Sequence, residues 1–106
     1  MVKRGEVWLV NLDPTVGSEI RKSRPCVVLS PPELHELLKT VIIAPMTSKG
    51  FAAPFRVPLK FQATAGLLVL DQVRSVDKVR LVKKMGSVSA PTLKIALHTM
   101  QEMFKD

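Results

Sequence analysis

The chain has 106 residues, and 16 Lys and Arg against 9 Asp and Glu give it a formal net charge of +7. That length suits one domain, residues 1–106, because a second core would leave each half too small to bury enough apolar surface. A hydrophobic content of 46% argues against global disorder, and the single cysteine, Cys26, excludes an intramolecular disulfide or a multi-cysteine metal site within one chain.

Val7–Val10 is too short for a signal-peptide core, and no apolar run approaches the roughly 20 residues that span a bilayer. A soluble, cytoplasmic domain with no membrane partner is expected. A pI near 10.0 favours a polyanionic partner such as nucleic acid, or an acidic protein.

The apolar and aromatic run Glu6–Asn11 reads as a strand. Leu12–Ser23 is dominated by turn formers and charges and reads as a long loop. Cys26–Leu29 is a second strand directly after Pro25. Ser30 or Pro31 lies near the cap of a short helix, ELHELL. Val41–Pro45 is a third strand, followed by the polar stretch Thr47–Gly50. Phe55–Leu59 is a fourth, which Pro58 weakens or ends. Leu67–Leu70 reads as a buried strand, and Val79–Val88 holds one more. The strongest helix is the last: Ser89 caps it, and Leu93, Ala96, Leu97, Met100 and Phe104 follow at helical spacing. Short strands and a packed C-terminal helix predict a mainly β fold, a small closed or half-closed antiparallel barrel.

Several chemistries find no support. His35, His98 and Cys26 are far apart, with no H-x-x-x-H or C-x-x-C spacing, and the carboxylates are scattered. Glu33 and Glu36 read as a solvated helix face. No phosphate-binding glycine loop, dinucleotide fingerprint or nucleophile elbow is present, so no cofactor is implied. With no Tyr, one Trp and four Phe, the aromatics are expected in the core rather than on a base-stacking platform. Nucleic-acid contacts should then be charged and polar. Two basic clusters can supply them: Arg21, Lys22 and Arg24, and Arg74, Lys78, Arg80, Lys83 and Lys84. Arg24, directly before Pro25 and a buried-looking strand, is rigidly placed and is the best site candidate among them.

Five segments occur in an order and spacing that resemble the MazF/PemK (Kid) toxins of bacterial toxin–antitoxin systems. They are Arg4–Val10, Asp13–Glu19, Arg24–Ser30, Ala44–Ser48 and Asp71–Lys78. The resemblance implies an SH3-like β-barrel of the CcdB/PemK type with a short helix and a C-terminal helix, forming a two-fold dimer. It implies metal-independent, sequence-specific cleavage of single-stranded RNA by attack of the ribose 2′-OH on the adjacent phosphate.

The same resemblance places a catalytic pair on Arg24 and Thr47, and Glu19, Asp71 and Gln72 match positions associated with the site or with RNA contact in some members. On chemical grounds Glu19 and Asp71 are the candidate bases, and Ser18, Arg21, Lys22, Ser48, Lys49, Arg74 and Lys78, in the loops and basic clusters, are expected to contact RNA. The chain departs from one branch by Ser18 in place of His, Val69 in place of Arg, and Ile20-Arg21-Lys22 after Glu19. An arginine is a poor base, since its pKa exceeds roughly 12, so Arg24 is read as the electrostatic stabiliser and Thr47 as orienting the phosphate. A +7 toxin suits an acidic antitoxin. The rival expectations are a CcdB-like poison that binds DNA gyrase without cleaving RNA, and a basic SH3-like nucleic-acid-binding module.

Overall fold

The computed structural model describes residues 1–106. Its strands are β1 (Glu6–Asn11), β2 (Ser23–Val28), β3 (Thr40–Thr47), β4 (Arg56–Phe61), β5 (Thr64–Val69), β6 (Arg74–Asp77) and β7 (Leu81–Ser87). Helix α1 spans Pro32–Leu37 and α2 spans Ala90–Met103, and two single 3₁₀ turns lie at Leu70–Gln72 and Lys78–Arg80. The strands run antiparallel in the order β4-β5-β3-β2-β1-β7, with β6 paired to the first half of β3. No ladder joins β4 to β7, so the barrel is half-closed. The gap is bridged by the Gln62 side-chain amide, which donates to the Met85 carbonyl at 2.9 Å.

Side chains on a strand alternate between faces, and here each face finds its own core. Val7, Val27, Leu29, Ala44, Val57, Leu68, Leu70 and Ala96 form one cluster, covered by Leu93, Leu97 and Met100 of α2. Val10, Leu12, Cys26, Val28, Val41, Ile43 and Val76 form the other. Helix α2 begins as expected, with Ser89 Oγ accepting from the Thr92 amide at 3.3 Å. It approaches β1 closely at Gly5, where a Cβ would meet Leu93 Cδ2 at 3.1 Å and φ is +89°.

Polar groups inside the barrel are paired. Glu6, only 4% exposed, accepts from the Lys3 amide (2.9 Å) and the Trp8 indole (3.1 Å), and faces Lys84 Nζ at 2.8 Å. Burial pushes its carboxyl up, but these donors together hold it below the usual range. His35 is a satisfied buried histidine, with Nδ1 2.9 Å from the Val2 carbonyl and Nε2 2.6 Å from Ser30 Oγ. Ser30 also accepts the Ile42 amide, so its hydroxyl fixes α1 against β3 instead of capping the helix, whose cap is Pro31.

Three sequence expectations change. Pro58 stays inside β4, because β4 is an edge strand and a missing donor there breaks no second ladder. Strand β6 was not foreseen: only Val76 of its four residues is buried. The phenylalanines do not fill the core. Phe51, Phe55 and Phe104 are exposed, and Phe61 alone packs partly against it. No helix is long and apolar enough to cross a membrane.

Leu68 is fully buried in the first cluster. Leu68→Ala is expected to cost about 2–5 kcal/mol of stability, measured as an earlier urea midpoint of Trp8 fluorescence.

Candidate active site

The site begins where β2 and β3 part. Their ladder covers only Cys26↔Pro45, Val27↔Ala44 and Val28↔Ile43. Proline has no amide N–H to donate. Leu29 donates to the Ile42 carbonyl, so in this register the amide position of Pro25 also faces β3, and its missing donor ends the pairing. Continuing the same register would set Arg24 opposite Thr47. No ladder joins the two strands there, and each is held on its outer side, by β1 (Val10↔Arg24) and β5 (Thr47↔Leu67).

A cleft of about 230 Å³ opens in this fork. Arg24, Pro25, Met46, Thr47 and Ser48 line one side, and Gly66, Phe61 and Met85 are among those closing the other. Gly66 lets the β5 backbone pass directly under Thr47, since a Cβ there would lie 2.7 Å from the Thr47 carbonyl oxygen. Arg24 is exposed, and its Nε donates to the Arg21 carbonyl at 3.3 Å, which leaves its terminal nitrogens to a ligand. Thr47 Oγ1 accepts the Lys49 amide at 3.2 Å, so its hydroxyl proton is available to donate. Arg24 is the only titratable residue lining the cleft.

A second hollow of about 540 Å³ gathers Glu19, Asp71, Gln72 and Arg74 around Pro45, on the same strand as Thr47. The expected site residues therefore divide between two adjoining depressions. Glu19 is exposed, and its Oε1 accepts the Val16 amide at 2.6 Å. Asp71 is bound at both oxygens by Arg56, at 3.0 and 3.1 Å. The Arg56 hydrogen bonds hold its carboxyl below the usual range, a poor setting for a base. Arg56 gave no sequence signal, because its partner lies 15 residues away.

The loop between β1 and β2 is pinned by groups expected to meet RNA. Gln72 Oε1 accepts the Ile20 amide at 2.7 Å. Arg74 Nη1 donates to the Leu12 carbonyl at 3.1 Å, and Arg80 to the Asn11 and Asp13 carbonyls. The second basic cluster does not assemble. Lys84 faces Glu6, and Lys78 donates to the His35 carbonyl. Lys78 follows Asp77, which pairs with Thr40 at the far end of β3. Seven strand rises place it roughly 23 Å from Thr47. Ser18, Arg21, Lys22, Ser48 and Lys49 remain exposed around the two hollows.

The family model for the PemK-like, MazF-like toxins of type II toxin–antitoxin systems matches residues 3–104. The chain is similar to Endoribonuclease PemK of Escherichia coli, at 38% identity over 93 residues, covering 82% of this chain and 70% of that one. Its fold matches that of MazF from Deinococcus radiodurans with a TM-score of 0.86 and 24% identity, over 99% of this chain and 97% of that chain. It also matches a mycobacterial endoribonuclease solved in complex with its cognate antitoxin, with a TM-score of 0.80 and 16% identity, over 96% and 93% of the two chains. The chain belongs to the PemK-like, MazF-like toxin family.

The Arg56–Asp71 pair has a definite acid limit. Because the folded pKa of Asp71 is depressed, its contribution is fully present above the ordinary aspartate value and is lost as pH falls through the depressed one. The Arg56 Nε–H resonance should shift over that acid range in the wild type and show no such titration in Asp71→Asn.

Proposed function

We propose that Arg24 and Thr47, at the open end of the β2–β3 ladder, form the centre at which this endoribonuclease toxin cleaves single-stranded RNA. The observation that carries the reading is the cleft there, whose lining includes a guanidinium with free terminal nitrogens and a hydroxyl with a free proton. That is a donor set for a phosphodiester. The rival barrel that binds gyrase without chemistry has no need of such a pair.

In the proposed reaction the ribose 2′-oxygen forms a bond to phosphorus and loses its proton. The bond from phosphorus to the 5′-oxygen breaks, and that oxygen takes a proton. The products end in a 2′,3′-cyclic phosphate and a 5′-hydroxyl. Arg24 neutralises the charge that builds on the phosphorane and lies where it can protonate the leaving oxygen. Thr47 orients the phosphate. Glu19, exposed and not held by a cation, is the better base of the two carboxylates considered, because Asp71 is committed to Arg56. No metal takes part in this route. Arg21, Lys22 and Lys49 guide the RNA strand, while Gln72 and Arg74 act by holding the β1–β2 loop.

The antitoxin is the protein partner, and a formal charge of +7 supports an acidic one. We infer a two-fold homodimer of single-domain chains, working in the cytoplasm. Val79 and Val82, 86% and 60% exposed, give the β6–β7 side an apolar surface suited to a self-complementary contact.

Wild-type protein in excess EDTA should cut a long mixed-sequence single-stranded RNA into discrete products ending in a 2′,3′-cyclic phosphate. Arg24→Ala should lose roughly 100- to 1,000-fold in rate, as for removal of one transition-state donor. Thr47→Ala should lose roughly 10- to 100-fold, as for one hydrogen bond to a charged group. Glu19→Gln should flatten the acid limb of the pH–rate profile. No cleavage by the folded wild type would shift the assignment to a binding toxin. Sedimentation at micromolar concentration should give a dimer mass; a monomer would contradict the assembly.

A further inference from the structure

We infer that Phe51 is a stacking shelf for one nucleobase next to the scissile phosphate, an affinity element whose role rests on the RNA-cleavage reading above. Phe51 is 73% exposed, on the loop that joins β3 to β4. An exposed aromatic ring on a loop usually has no fixed direction, but this one is held. The Arg56 guanidinium carbon lies 4.8 Å from the ring centroid, and Arg56 Nη1 donates to the Phe51 carbonyl at 3.2 Å. Arg56 is itself fixed by two hydrogen bonds to Asp71, at 3.0 and 3.1 Å. One side of the ring is thus backed by a positive, planar group, and the ring remains largely open to solvent.

The shelf is next to the chemistry. A Cβ on Gly50 would lie 2.8 Å from Thr47 Cγ2 and 3.7 Å from Arg56 Nη1. The loop therefore folds back onto Thr47 one residue before Phe51. The chain from Thr47 through Gly50 and Phe51 to Arg56 and Asp71 links the phosphate cleft to the second hollow. A nucleotide whose phosphate sits between Arg24 and Thr47 would present a neighbouring base to this ring. Stacking on an aromatic face is sequence-tolerant and adds affinity for a splayed single strand. The guanidinium behind the ring strengthens the platform as a cation–π pair. Of the other aromatics, the Trp8 indole is tied to Glu6 and Phe61 packs partly against the core; Phe55 and Phe104 are exposed, but only the Phe51 ring is backed by a cation.

The test first maps the bond that the wild type cleaves. Short RNAs around that bond, made uncleavable by one 2′-deoxyribose, are then titrated by fluorescence anisotropy with wild type, Phe51→Ala, Phe51→Leu and Phe51→Trp. Alanine and leucine should both weaken binding by roughly 5- to 150-fold, and tryptophan should preserve it. Replacing the flanking bases one at a time with abasic sites should weaken the wild type at one position where Phe51→Ala shows no further loss. Unchanged urea midpoints establish that the variants are folded. Leucine binding as well as phenylalanine, or abasic penalties equal in wild type and Phe51→Ala at every position, would overturn the shelf while leaving RNA cleavage intact. A folded wild type that cuts no RNA would remove the underlying activity and the shelf together.

Discussion

One missing amide proton, that of Pro25, decides where the site opens. Every interior strand of a sheet normally exchanges hydrogen bonds along both edges, and that would close β2 against β3 to its end. Pro25 prevents it, because its amide position faces β3. Below it the ladder is intact and runs through Val27, Val28, Ile43 and Ala44, all without solvent exposure. Beyond it no ladder joins the two strands, and each is held in place by its other neighbour. A cleft that presents a few polar donors is thus carried by a rigid apolar base, which is what a site needs if its donors are to keep their positions without a ligand.

Part of the positive charge is committed to the scaffold. Arg4, Arg74, Lys78 and Arg80 hydrogen-bond to backbone carbonyls, and Lys84 answers the buried Glu6. These cations support loops and the barrel rim. Arg21, Lys22, Arg24 and Lys49 stay exposed around the cleft. Lys3, Lys39, Lys60, Lys83, Lys94 and Lys105 are exposed as well, so the cations beside the cleft add to a surface that is basic in several places.

Much of the fold was legible in the sequence because its signals are local. Strand β1 and helix α2 carry their own periodicity, and Ser89 announces the start of α2. The ordered motifs located Arg24 and Thr47. Long-range pairings were not legible. Nothing near Asp71 in sequence reveals Arg56, and nothing near Gln72 reveals Ile20, 52 residues away. Strand β6 was invisible because a polar edge segment held by β3 needs little apolar content of its own. Reading the few aromatics as core failed for a related reason. Aliphatic side chains from seven strands already fill both clusters, which leaves Phe51 free for the surface.

Cys26 lies beneath the fork, fully buried, with both neighbouring ladders closed over it. Burial pushes its thiol up to about 12, against a smaller opposing pull from Arg74. At neutral pH almost none of it is thiolate, the form that oxidants and alkylating reagents attack. The thiol is thereby shielded from oxidants, and no disulfide can link one copy to another while the barrel stays shut. Because the chain has no other sulfhydryl, the rate at which a thiol reagent labels it is a built-in clock for opening of the β1–β2–β3 sheet, the element that carries the cleft.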